Sequence, residues 1–240
     1  MTHAAFNLLA FDTSTEQLSV AVQRAADGRR LTHQGAGGAQ ASGTLIPTAL
    51  RLLAEAGLTL AELDAIAFGR GPGSFTGLRT ACAVAQGLAF GAAVPVLPVD
   101  TLLAVAEDAR ATHGGTQVLA LLDARMDQVY AQPWAWTAGA GWTALGEAQV
   151  GAPEALALPA GPAAPWVLAG NAFAAYGARL PAALQALPQH AAAPSARALL
   201  GLAPALLAAG RAVPAEQALP LYVRDKVAQT TAERAAAAAR

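Results

Sequence analysis

Cysteine and lysine are almost absent from this chain: Cys82 stands alone, and Lys226 is the only lysine among 240 residues. One cysteine excludes a disulfide framework and any cysteine-based zinc site, and it fits a reducing compartment. Charge is scarce too. Only 13% of residues are charged and the formal net charge is −1, so there is no basic footprint for autonomous nucleic-acid binding. With 55% hydrophobic residues, the chain is equally far from a disordered composition. No apolar run is long and unbroken. The stretch Ala81 to Val99 carries no charge, but Gln86, Gly87, Gly91, Pro95 and Pro98 interrupt it, which argues against a membrane-spanning helix. Met1 to Asp12 lacks the basic start of an export signal. The expectation is a soluble, cytoplasmic protein with no membrane contact.

Alanine fills the chain instead, at 66 positions. Alanine sits on either face of a helix, so it blurs hydrophobic periodicity. Even so, the pattern predicts an order of elements. Phe6 to Phe11 is an apolar run ending at Asp12. Gln17 to Gln23 alternates with period two, Asp27-Gly28 is a hairpin signal, and Arg30 to Gln34 continues beyond it. A helix follows over about 43–56, closed by Gly57. Thr44, Thr48, Arg51 and Glu55 form a narrow polar stripe on it. Leu45, Ile46, Ala49, Leu50, Leu52, Leu53 and Ala56 spread over roughly 160°, wider than the ~100° one core needs. Either a partner covers the surplus or an alanine-rich helix simply looks apolar.

Ala65 to Phe68 reads as a strand, 76–90 as a helix, Val94 to Val99 as a strand and Thr101 to Thr112 as a helix. Residues 1–112 thus read β-β-β-α-β-α-β-α, the order of a ribonuclease-H-like unit. A second pass over 113–194 repeats the beginning: Gln117 to Leu122 ends at Asp123, then come strands over 128–136 and 142–149. Further elements are expected near 153–158 (helix), 166–169 (strand) and 172–179 (helix), with Ala/Pro-rich loops over 151–165 and 181–194. A helix within 195–211 is expected to pack back on the first unit, and 225–240 is expected to be a flexible tail. Internal duplication is the economical account.

Two loops have the composition of an anion site. Asp12, Thr13 and Ser14 lie at the first turn, where hydroxyls and backbone amides suit a phosphate and Asp12 suits a metal-bound water. An Asx turn without a ligand is the competing reading. In the second loop, Gly71, Gly73 and Gly77 permit close approach of a ligand or another backbone, and Ser74 or Thr76 would cap the next helix. It lacks the ending of a Walker loop and the third glycine of a dinucleotide fingerprint. Asp123 and Arg125 begin the second half, either paired to each other or facing the cleft. The histidines at 3, 33, 113 and 190 are scattered and form no ligand pair. Cys82 reads as core.

Four runs together carry a resemblance: Leu9-Ala10-Phe11-Asp12-Thr13-Ser14-Thr15, Gly69-Arg70-Gly71-Pro72-Gly73-Ser74-Phe75-Thr76-Gly77-Leu78-Arg79, Ala85-Gln86-Gly87-Leu88-Ala89 and Leu122-Asp123-Ala124-Arg125-Met126. They resemble the bacterial TsaB (YeaZ) family over about residues 7–136, and Pro220 to Arg224 also fits. The resemblance implies an α/β actin-like ATPase (ASKHA) fold of two ribonuclease-H-like units, each a mixed sheet flanked by helices. It implies a pseudoenzyme: a non-catalytic scaffold and activator of TsaD, which transfers threonylcarbamoyl to the adenosine beside the anticodon of tRNA. The implied partners are a TsaD homologue as heterodimer and a TsaE-type ATPase, with tRNA reached through the complex and a homodimer when alone. No resident cofactor is implied beyond ATP or ADP at the complex interface. In TsaD the counterpart of Pro98 to Val105 carries two metal-binding histidines four residues apart; aligned here are Thr101 and Val105, neither a plausible ligand. This chain also departs from many members by having no histidine just before Leu45-Ile46-Pro47.

The expected partner surface combines Leu45, Ile46, Ala49 and Leu53 with the small-residue face Gly77, Ala81, Ala85 and Ala89, spaced by four. The alternative is a stand-alone small-molecule kinase or ATPase of the actin-like superfamily, with Asp12 and Asp123 as its loop-placed carboxylates. A peptidase finds no metal pair, triad or activated thiol in the sequence.

Overall fold

The structure, a computed structural model, describes residues 6–159 and 165–223. The expected tail over 225–240 lies outside the described residues. The first half runs β1 (Leu8–Asp12), β2 (Gln17–Gln23), β3 (Arg30–Ala36), α1 (Ala41–Ala56), β4 (Ala65–Gly71), α2 (Phe75–Ala92), β5 (Val96–Asp100) and α3 (Thr101–His113). The second runs β6 (Gln117–Arg125), β7 (Gln128–Thr137), β8 (Gly141–Ala144), β9 (Gln149–Gly151), β10 (Trp166–Gly170), α4 (Phe173–Tyr176), α5 (Ala182–Gln185), β11 (Gln189–Ala191) and α6 (Ala196–Ala208).

Both sheets have one topology. The first is ordered β3-β2-β1-β4-β5, and the second β11-β10-β6-β7-β8, which is the same order read from the other edge. In each, a hairpin pairs antiparallel with the first strand, and two later strands add parallel on its other side. The third place in the second sheet is shared. β8 pairs with Trp134–Thr137 of β7 and β9 with Val129–Ala131, so the run expected as a single strand over 142–149 is two.

Strand alternation sorts the residues into layers. Leu9, Phe11, Ile66 and Phe68 face outward onto α1 and α2, while Leu8, Ala10, Ala65 and Ala67 face inward onto α3 and α6. On β6, Val118, Ala120 and Leu122 face the same central layer, and Leu119 and Leu121 face a smaller core around Tyr176, Leu180 and Leu184. A helix between two sheets meets protein on most sides, so it has no broad polar face. α3 accordingly buries every residue from Thr101 to Glu107. Alanine suits this middle layer, because Ala104, Ala106, Ala109, Ala196 and Ala203 fill little space between closely spaced sheets.

Several local expectations change. Thr48 is buried despite its place on the polar stripe, because α1 packs against the sheet over a wide arc. Gly57 ends α1 in the left-handed conformation at φ 68°. Arg24 and Arg29, from the β2–β3 turn, donate to the Ala56 and Glu55 carbonyls at 3.0 and 3.3 Å, covering the orphan end of the helix. α2 runs through Gly91 and ends at Ala93, φ 55°. The helix expected from Pro153 is one 3₁₀ turn, and that over 172–179 is one α-turn followed by another 3₁₀ turn. The stretch 181–194, read as loop, contains α5 and the edge strand β11.

Candidate functional site

The two glycine- and hydroxyl-rich loops pack on each other. Ser74 N–H donates to the Ser14 carbonyl at 2.8 Å, and the Thr13 hydroxyl donates to the Gly77 carbonyl at 2.7 Å. The glycines are small because backbone lies against them: a Cβ at Gly73 would meet the Ser14 oxygen at 2.6 Å, and one at Gly77 the Thr13 oxygen at 1.9 Å. Close approach was expected, and the β1–β2 turn of the chain itself makes it. Ser74 caps α2 by accepting from Gly77 N–H at 3.5 Å, and Thr76 is exposed on the first turn.

Asp12 does not face the opening. Its carboxylate is 1% exposed, with Oδ1 accepting from Ser14 N–H at 2.8 Å and Ser14 Oγ–H at 2.6 Å, while Oδ2 is buried with no hydrogen-bond partner. Gly69 presses on it, since a Cβ there would stand 1.7 Å from Oδ2. Burial pushes the carboxyl up to about 6 despite the lowering effect of Ser14. Gly71, at φ 122°, is held by its N–H to Thr101 Oγ at 3.0 Å, and by Leu221, whose N–H bonds the neighbouring Arg70 carbonyl at 2.7 Å. Of the eight loop residues singled out in the sequence, Ser14, Gly73 and Ser74 line the cleft between the two units. Asp12, Thr13, Gly71, Thr76 and Gly77 do not.

The innermost part of the cleft is narrow, about 80 Å³, with Asp123, Arg125, Tyr130 and Asn171 as its other wall, and it adjoins cavities of about 280 and 400 Å³ that share its lining residues. Arg125 both pairs with Asp123, at 3.4 Å, and crosses the cleft to Glu16 at 2.8 Å. Asp123 Oδ1 accepts from Arg125 N–H and Tyr176 O–H, and Asn171 Oδ1 accepts from Asp123 N–H. The hairpin tip Arg125-Met126-Asp127 is left-handed throughout, at φ 58°, 54° and 58°, which is strained for side-chain-bearing residues. Arg179 braces it through Asp127 at 2.6 Å. Glu16, Asn171 and Tyr176 escaped the sequence reading.

The proposed partner residues divide sharply. Leu45, Ala49, Leu53, Ala81, Ala85 and Ala89 are packed against the chain's own first sheet, and Gly77 is covered by Thr13. The small-residue face of α2 therefore lets its own sheet approach, and only Ile46 of the eight is exposed. The outer surface of the helix pair carries Ile46, Leu50 and Phe90 at 39, 45 and 81% exposure. Thr101 and Val105 are fully buried. His113 and His190, read as scattered, stack with ring centroids 4.1 Å apart. Among the described residues no group of three or more His, Cys, Asp or Glu is placed to hold a metal ion, and no helix is long and apolar enough to cross a membrane.

A twice-repeated mixed sheet, with helices between the copies and an aspartate at or near the end of each first strand, defines the actin-like (ASKHA) class of α/β proteins. The family model described as TsaD, tRNA N6-adenosine threonylcarbamoyltransferase, matches residues 38–232. The chain is 34% identical to the tRNA threonylcarbamoyladenosine biosynthesis protein TsaB of Escherichia coli over 92% of its own length and 96% of that protein. It is 46% identical to the Haemophilus influenzae protein of that name over 125 residues, spanning about half (51%) of that relative. The solved structure of YeaZ from Pseudomonas aeruginosa superposes with a TM-score of 0.82 at 43% identity, covering 90% of this chain and 99% of that one. The chain belongs to the TsaB (YeaZ) branch of this family.

Proposed function

We propose that the chain is the non-catalytic subunit of a threonylcarbamoyltransferase complex, acting as scaffold and activator of a TsaD-type partner that modifies tRNA. The observation carrying this reading is the fate of the two positions aligned with the partner's metal-binding histidines. Thr101 spends its hydroxyl on the Gly71 amide, and Val105 belongs to the central core. Both are wholly enclosed, so the helix that would present a metal pair serves packing instead. Asp12, the carboxylate most suited to a metal-bound water, is likewise enclosed.

The docking surface in this reading is the outer side of α1 and α2, where Ile46, Leu50 and Phe90 expose apolar area that the other described residues do not cover. A TsaE-type ATPase completes the assembly, and tRNA is held through the partner, in keeping with the net charge of −1. A second copy of the chain would occupy the same surface when the partner is absent. ATP or ADP belongs at an interface with a partner.

Reconstitution tests this. Threonylcarbamoylation of tRNA is measured with TsaD, TsaE and the adenylate-forming enzyme, with and without this chain. Modification that requires the chain, with no ATP turnover by the chain alone, is expected. Full modification in its absence, or magnesium-dependent ATP turnover lost in Asp12→Ala, would replace this reading with the stand-alone kinase or ATPase.

A further inference from the structure

After α6 the chain returns to the first unit as a strap over residues 211–223. Val213 bridges Val96 at the edge of β5, with N–H···O distances of 2.9 and 2.8 Å. The strap then runs antiparallel beside the first half of α2. The Ala218 carbonyl accepts from Gln86 Nε2–H at 2.9 Å and from Cys82 Sγ–H at 3.3 Å. Further on, Leu221 N–H donates to the Arg70 carbonyl at 2.7 Å, and Arg79 Nε–H donates to the Tyr222 hydroxyl at 3.1 Å. Arg79 also lies over the Phe75 ring, whose centroid is 5.5 Å from that of Tyr222. Burial of Ala215 and Ala218 accounts for the strap's part in the core. It does not account for Leu219, 65% exposed, or Tyr222, 44% exposed, which the same bonds hold in place on the outside.

We propose that this strap is the third element of the docking surface for the TsaD-type partner, with Leu219 and Tyr222 as its contact side chains. The inference rests on the reading that the partner docks on the outer side of α1 and α2. Continuity supports it: the Ala218 carbonyl is tied to Gln86, one helical turn from Phe90, so the strap joins α2 beside that surface. Size argues the same way. A stable interface buries about 800 Å² on each partner, from roughly 20–30 residues a side. Ile46, Leu50 and Phe90 are too few to supply that, and the strap extends apolar surface along α2 toward Phe75, itself 38% exposed. Residues 218–223 carry no charged side chain, so the chemistry they fit is an apolar face of the partner. Because hydrogen bonds already hold the strap, little conformational freedom is lost on contact.

The test measures association of the full-length chain with its TsaD homologue by calorimetric titration. Leu219→Asp is expected to weaken it at least about tenfold, with the thermal midpoint of the chain alone unchanged, while Leu219→Met retains it. Amide exchange at Leu219, Leu221 and Tyr222 of the unaltered chain is expected to slow once the homologue is bound. That measurement decides the matter even where Leu219→Asp lowers the midpoint. Ile46→Asp and Phe90→Asp separate the two readings. If they weaken association while Leu219→Asp does not, or if exchange in the strap is the same free and bound, the strap lies outside the interface and the α1–α2 reading stands. If none of the three aspartate variants changes the affinity, the α1–α2 reading fails and the strap proposal with it.

Discussion

Gly77 and Thr13 are locked together from both sides. The Thr13 hydroxyl donates to the Gly77 carbonyl at 2.7 Å, and the Thr13 carbonyl lies where a Cβ of residue 77 would be, 1.9 Å away. Backbone cannot swing aside as a side-chain tip does. Gly77→Ala should therefore destabilise the fold by about 3 kcal/mol, at the upper end of overpacking costs. Gly87, on the same helix, has nothing within 4 Å of its Cβ position. Gly87→Ala should stabilise by roughly 0.5–1 kcal/mol, because alanine gives up less backbone freedom. Urea midpoints at unchanged m-value measure both, and equal shifts of the same sign would contradict the contrast.

Asp12 makes stability depend on pH in the sense opposite to that of a salt-bridged carboxylate. Burial raises its folded-state value from 3.8 to about 6, so between those limits the fold binds more protons than the unfolded chain. Its contribution is greatest in acid and is lost as pH rises from about 4 to 6, on the order of 3 kcal/mol in all. Asp12→Asn should remove this slope. Unfolding free energies of the two proteins that run parallel from pH 4 to 6.5 would refute the assignment.

Thr101 holds the amide of Gly71, in the middle of the glycine loop. Thr101→Val keeps the shape and leaves that buried N–H without a partner, which should lower stability by about 1–3 kcal/mol. Thr101→Ser, retaining the hydroxyl, should recover most of the loss. Thermal melts of the three proteins decide it; equal midpoints for the valine and serine variants would show the bond to be unimportant.

The partner face predicts a separation of folding from binding. Ile46→Asp and Phe90→Asp alter exposed positions and should change monomer stability by no more than about 0.5 kcal/mol. Each should weaken association with the TsaD-type partner at least about tenfold in calorimetric titration, as a charge introduced into an apolar contact loses its water. Unchanged affinity in both would move the docking surface elsewhere.

What was legible in the sequence follows from local physics. The alternation of Leu18, Val20 and Val22 marks β2 to the residue, Gly57 marks the end of α1, and Asp12 marks the end of β1, whereas β6 runs past Asp123 through a register shift to Arg125. The Ala/Pro-rich run over 181–194 concealed β11, because a strand of three residues is held by its neighbour more than by its own composition. Alanine added a second ambiguity. The spacing of Ala81, Ala85 and Ala89 announces a close-packing face, and nothing in that spacing says whether a partner or the chain's own sheet lies against it.

The sequence by itself determined the order of elements, the duplication and the loops where backbone comes close, since these depend on residues a few positions apart. Tertiary structure alone decided that Gly69 seals Asp12, that Thr13 lies against Gly77, and that His113 meets His190. Those contacts join residues far apart in the chain, and parallel strand pairing and the stacking of two sheets on shared helices bring them together. Side-chain type can permit such a meeting, but only the assembled fold selects it.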